Sequence, residues 1–113
     1  MALYYSLPVY KQVYDLILKV FEVTKDFSKE YKYTLGQDMK RDALSLMRSI
    51  YRANKNEDKK MYLEQFLDEF ELLKLEIRLC CDLKLISLKR HVVLSELMDS
   101  IGKQITGWRN ANA

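Results

Sequence analysis

The chain has 113 residues, enough for one domain, with 19 Lys and Arg against 16 Asp and Glu and a net charge of +3. Hydrophobic residues make up 49%, too many for a disordered chain, while three Gly and one Pro are too few for a turn-rich β sandwich or barrel. A single His and the lack of a glycine-rich phosphate loop leave little for catalysis, so the composition points to an all-α protein that is not an enzyme.

Four segments carry helical periodicity. The first runs from about Pro8 to Asp26, with Pro8 suited to a first helical turn and Val9, Val13, Leu16, Ile17 and Val20 on one face. Residues Phe27 to Tyr33 form a link with room for one short helical turn. The second segment, 35–54, opens on a capping-box pattern, Thr34 followed by Gln37, and gathers Met39, Ala43, Leu46, Met47 and Ile50. The third, 57–84, has Asn56 as its expected cap, and Leu63, Phe66, Phe70, Leu73, Ile77 and Cys80 alternate steps of three and four in a heptad seam. The fourth, 88–108, follows Ser87 as cap and aligns Leu94, Leu97, Met98, Ile101, Ile105 and Trp108. The tail from Asn110 to Ala113 is expected to fray. Short connections make neighbouring helices antiparallel, so the expected fold is an up-down-up-down antiparallel four-helix bundle spanning 1–113.

The ends and the cysteines narrow the setting. Met1 to Ser6 has no basic start followed by an apolar run, so no secretory leader is expected. No stretch of about 18 apolar residues exists to cross a membrane. Cys80 and Cys81 are adjacent, a spacing that suits neither an ordinary disulfide nor a metal knuckle. They read as buried or half-buried small apolar residues in a reducing cytoplasm. No metal, cofactor or small-molecule substrate is expected.

On a wheel of about 100° per residue, the third helix is apolar twice over. Leu72, Leu75, Leu79 and Leu83 fall nearly opposite the seam. Each would forgo roughly 1.5–3 kcal/mol if left wet, so this row is expected to meet another subunit, unless the third helix is central or buries both flanks internally. Charge is also uneven. Residues 1–56 sum to +4 and residues 57–113 to −1. Arg41, Arg48, Arg52 and Lys55 form a stripe on the second helix, turned away from its apolar face. Glu64, Asp68 and Glu71 form an acidic stripe on the third, with Lys74 and Arg78 following. Lys84, Lys89, Arg90 and His91 cluster at the last turn. Aligned arginines suit phosphate forks, although spacing alone favours a solvated face or salt bridges to the acidic stripe of a neighbouring subunit. His91 has no expected catalytic partner, the eight tyrosines suit helix flanks and subunit contacts, and Gly102 suits a close helix approach.

Several fragments resemble one family in order and spacing. These are Phe27 to Gly36, Ile50 to Asn54, Asp82 to Ser87 and Lys103 to Trp108, within a stretch from Leu7 to Trp108. They look like the accessory variability determinant (Avd) proteins of diversity-generating retroelements, relatives of the ribosomal-RNA intervening-sequence proteins. The resemblance implies a homopentameric barrel of four-helix bundles with a central channel. It also implies a non-enzymatic partner of the element's reverse transcriptase that contacts template RNA and DNA to support mutagenic retrohoming. Arg52, Lys74 and Arg78 match the family's basic positions, and the stripe adds Arg41, Arg48 and Lys55. The rival expectation is an intervening-sequence-type or other structural helical adaptor with no nucleic-acid role.

Overall fold

The computed structural model describes residues 3–112; Met1, Ala2 and Ala113 lie outside them. A 3₁₀ turn at Tyr4–Ser6 leads into α1 (Pro8–Thr24), followed by a one-turn α2 (Lys29–Lys32), α3 (Leu35–Lys55), α4 (Lys59–Asp82) and α5 (Leu88–Ala111). No strand occurs among the described residues. The four long helices pack cyclically, α1 on α3, α3 on α4, α4 on α5 and α5 back on α1, in a body of 43 × 23 × 22 Å. This is the arrangement of a four-helix bundle.

The periodic apolar positions make the core. Val13, Leu16 and Val20 of α1 meet Met39, Ala43, Leu46 and Ile50 of α3, the seam of α4, and Leu94, Met98, Ile101 and Ile105 of α5. Met47, Leu97, Ile17 and Trp108 pack at its margin, half-buried. Cys80 is buried with its Sγ 3.3 Å from the Met39 sulfur, and Cys81 is half-buried; both are free thiols. Burial first, then the charges of Glu76 and Cys81, push the Cys80 thiol up to about 12, so it stays protonated and behaves as a small apolar side chain.

Helix ends follow local chemistry, and some differ from expectation. Ser87 caps α5 as its sequence predicts, its hydroxyl accepting from the Arg90 N–H at 3.1 Å. Thr34 forms no capping box. Its hydroxyl instead donates back to the Glu30 carbonyl at 2.8 Å, because α2 leaves that carbonyl one turn away. Asn56 does not cap α4. Its backbone and side-chain nitrogens both donate to the Arg52 carbonyl, closing α3, and Asp58 takes the cap by accepting from the Met61 N–H. Lys59 then donates to the carbonyls of Ala53, Asn54 and Asn56 at 2.9–3.0 Å, tying the end of α3 to the start of α4. The C-terminal residues through Ala111 are helical rather than frayed, with Asn112 Nδ2 donating to the Trp108 carbonyl at 2.9 Å.

α4 ends in a Schellman motif. The Leu85 N–H donates to the Cys80 carbonyl at 2.8 Å and the Lys84 N–H to the Cys81 carbonyl at 3.0 Å. Lys84 fills the left-handed position at φ 62°, where glycine is the unstrained residue. At Gly36, by contrast, glycine is needed: a Cβ there would lie 3.2 Å from the Tyr31 carbonyl and 3.3 Å from the Phe27 ring, so α2 seats directly on α3. Gly102 does not need to be glycine to bring α4 and α5 together, since its Cβ would meet Phe70 at an ordinary 3.5 Å.

Candidate interaction surfaces

α4 carries the chain's sharpest division. Leu63, Phe66, Phe70, Leu73, Ile77 and Cys80 are buried, because the steps of three and four keep them on one side of the helix. Leu72, Leu75, Leu79 and Leu83 remain 49, 61, 42 and 40% exposed. Among the described residues no other helix buries them, so α4 does not bury both flanks internally.

The side of α4 turned toward α3 is acidic. Glu76 is buried beside Asp42, and one of its carboxyl oxygens has no hydrogen-bond partner among the described residues. Burial first, then a hydrogen bond to Asp42 and the charges of Asp42 and Asp38, raise the Glu76 carboxyl to about 8, with Arg41 opposing. Two carboxylates this close do not both ionise readily, so Glu76 holds its proton at neutral pH. Two turns earlier on α4, Glu69 accepts a hydrogen bond from the Ser45 hydroxyl. Sequence reasoning missed Glu76, whose position reads as one more surface charge; only the meeting with α3 makes it a buried acid.

The basic residues divide into two groups that the fold does not bring together. Arg41, Arg48, Arg52 and Lys55 are all exposed on the outward crest of α3. Arg41 is held by Asp38 at 3.0 Å and lies 3.9 Å from Asp42. Lys55 lies 4.7 Å over the Tyr51 ring. Arg48 and Arg52 make no ion pair among the described residues. Lys74 and Arg78 sit on the opposite side of α4, in a cleft shared with His91, Ser95 and Asp99 of α5. Lys74 bonds Glu71 at 3.2 Å and lies over the Phe70 ring at 4.9 Å, while Arg78 stands 3.9 Å from Asp82. Exposed pairs of this kind are worth about 0–1 kcal/mol and open readily for a better partner. Lys89 and Arg90 line a separate cleft with Lys19, Glu22 and Ser87.

A second unpartnered apolar face lies on α1 and α3, where Tyr14, Leu18, Phe21 and Leu44 are exposed. Lys40 sits 5.6 Å over the Phe21 ring. The helical spacing of Tyr14, Leu18 and Phe21 marks this face in the sequence, but the stronger valine pattern of the first segment hides it.

No group of three or more His, Cys, Asp or Glu is placed to hold a metal among the described residues, and no described helix is long and apolar enough to cross a membrane. Its described surface carries uncovered apolar rows and a cationic crest on a helical bundle. The chain matches the bAvd-like family over residues 7–112 and belongs to it. Proteins of this family are Avd-type accessory proteins, non-catalytic in kind. A search of curated proteins finds no match.

Proposed function

We propose that this chain is the accessory protein of a diversity-generating retroelement, acting in the cytoplasm. It assembles with copies of itself into a pentameric barrel and holds the reverse transcriptase and template RNA, and the cDNA made from it, during mutagenic retrohoming. It performs no chemistry and takes no cofactor. The family match over residues 7–112 carries this reading. The exposed row of Leu72, Leu75, Leu79 and Leu83 supports self-assembly, since each leucine, about half covered already, gains roughly 1 kcal/mol when a neighbour covers the rest. The exposed guanidinium of Arg52 supports contact with phosphates or an acidic polymerase surface, with Arg41, Lys55, Lys74 and Arg78 recruited as their weak internal pairs open.

The test is binding of the purified native particle to the element's reverse transcriptase and template RNA across a salt series. Reversing Arg52 and Lys55 to Glu is expected to lower binding and flatten its salt dependence, because each lost phosphate contact removes about 0.9 from the log–log slope on duplex and about 0.7 on single strands. Undiminished binding by that variant would remove the stripe from the interface. A structural adaptor without a nucleic-acid role is the second reading. It is favoured by the carboxylates that already engage Arg41, Lys74 and Arg78, and it expects wild-type particles to ignore the RNA altogether.

A further inference from the structure

Two of the apolar faces uncovered among the described residues differ in charge. The leucine row of α4 is accompanied by Glu64 and Asp68, both exposed and without an ion pair among the described residues. The α1–α3 face sets Leu18, Phe21 and Leu44 beside Lys40 and Arg48. We infer that these two faces meet: the leucine row of one copy packs on the α1–α3 face of the next, head to tail. The inference rests on the self-assembly proposed above and adds which surfaces join.

Charge selects the pairing. The carboxylates of α1 turn away from the α3 side, Asp15 holding Lys19 at 3.0 Å while Lys19 and Glu22 line the cleft against α5. Asp38 and Asp42 of α3 turn toward α4, around Glu76. Asp42 also lines the α1–α3 groove, 3.9 Å from Arg41, but Lys40, Arg41 and Arg48 outnumber it there, so that face is net cationic. Packing α4 on α4 sets acid against acid, whereas α4 on α1–α3 sets acid against base.

Height along the bundle agrees. Ser45 bonding Glu69 and Asp42 bonding Glu76 fix α3 against α4, and Lys40 over Phe21 fixes α1 against α3. These registers put Leu18, Phe21 and Leu44 level with the stretch from Leu72 to Leu79, and Arg48 level with Asp68. Copies related by rotation about an axis along the helices meet at equal heights. Leucine then meets leucine and phenylalanine, and Arg48 meets Asp68.

The two faces also lie on neighbouring sides of the bundle. Glu76 marks the α3-facing side of α4, and Leu72, Leu79 and Leu83 follow it at i−4, i+3 and i+7, so both faces border α3. Each copy is turned in the same sense from the last, so an unlike-face contact of that kind does not stop at a pair and closes into a ring when the rotation returns to its start.

Two variants of the full chain test the pairing by mass in solution: Leu75→Asp with Leu79→Asp, and Leu18→Asp with Leu44→Asp. All four positions are exposed, so both variants are expected to keep wild-type circular dichroism. Wild type is expected as a multi-chain particle and each variant alone as a single chain. Their equimolar mixture is expected to double in mass, because each supplies the face that the other lacks. The milder Leu79→Ser and Leu44→Ser, mixed in the same way, repeat the test should an aspartate variant fail to fold. A Leu18/Leu44 variant that still assembles alone, or a mixture that stays at one chain, overturns the pairing. A wild-type chain that is single at every concentration overturns instead the self-assembly on which the pairing rests.

Discussion

The inner and outer rows of α4 are made of nearly the same residues and lie in opposite surroundings. Phe70, Leu73 and Ile77 are buried within the bundle, while Leu72, Leu75 and Leu79, their neighbours in sequence, face out. Side-chain type therefore does not decide burial here; the phase of each position on the helix does. The inner row holds the chain's own fold together. The outer row stays 40–61% exposed and contributes far less to that fold. Glu76 stands at the border between the two, buried enough to keep a proton and close enough to the outer row to share its side of the helix.

Truncation separates the rows most strongly. Phe70→Ala empties a ring-sized space in the core and is expected to lower stability by about 3–5 kcal/mol in a denaturant titration. Leu75→Ala, made under conditions where the chain is single, is expected to stay within about 0.5 kcal/mol of wild type. Comparable losses at the two sites would show that α4 has no free flank.

Glu76→Gln tests the border. The folded carboxyl binds its proton more tightly than the ordinary value of 4.5, being raised to about 8, so between those limits the native state holds more protons than the unfolded chain. Stability from this group is full below about 4.5, declines as the pH rises toward 8, and levels off above it. The glutamine keeps a donor for Asp42 and has no charge to lose. Its melting temperature is expected to exceed that of wild type at pH 9 by about ten degrees or more, the order that a few kcal/mol gives a domain of this size, and the gain should vanish near pH 4. A gain that is the same at both pH values would mean that Glu76 ionises freely. The smallest effect is expected where the outer row stops. Lys84→Gly relieves the left-handed backbone at φ 62° and should add about 1 kcal/mol without changing the particle's mass.

Much of the molecule was legible in the chain because helix phase is local. The seam of α4, the outward leucines, the Ser87 cap and the exposure of Arg41, Arg48, Arg52 and Lys55 all follow from counting along one helix. The caps at Thr34 and Asn56 were misread for a different reason: each residue has two competing backbone partners, and a preceding helix end won both times. The Avd resemblance held over nearly the same stretch as the family match, residues 7–112, because it rested on several fragments in order rather than on one.

By itself, then, the sequence determined the four long helices, their apolar faces and the leucines left over, since a repeat of 3.6 residues needs no knowledge of neighbours. The tertiary structure alone decided the cyclic order of the helices. That order put Asp42 against Glu76, parted Lys74 and Arg78 from the arginine crest, and placed two uncovered faces of unlike charge on adjoining sides of α3. Such adjacency depends on how residues dozens of positions apart pack across space, and no count along the chain contains it.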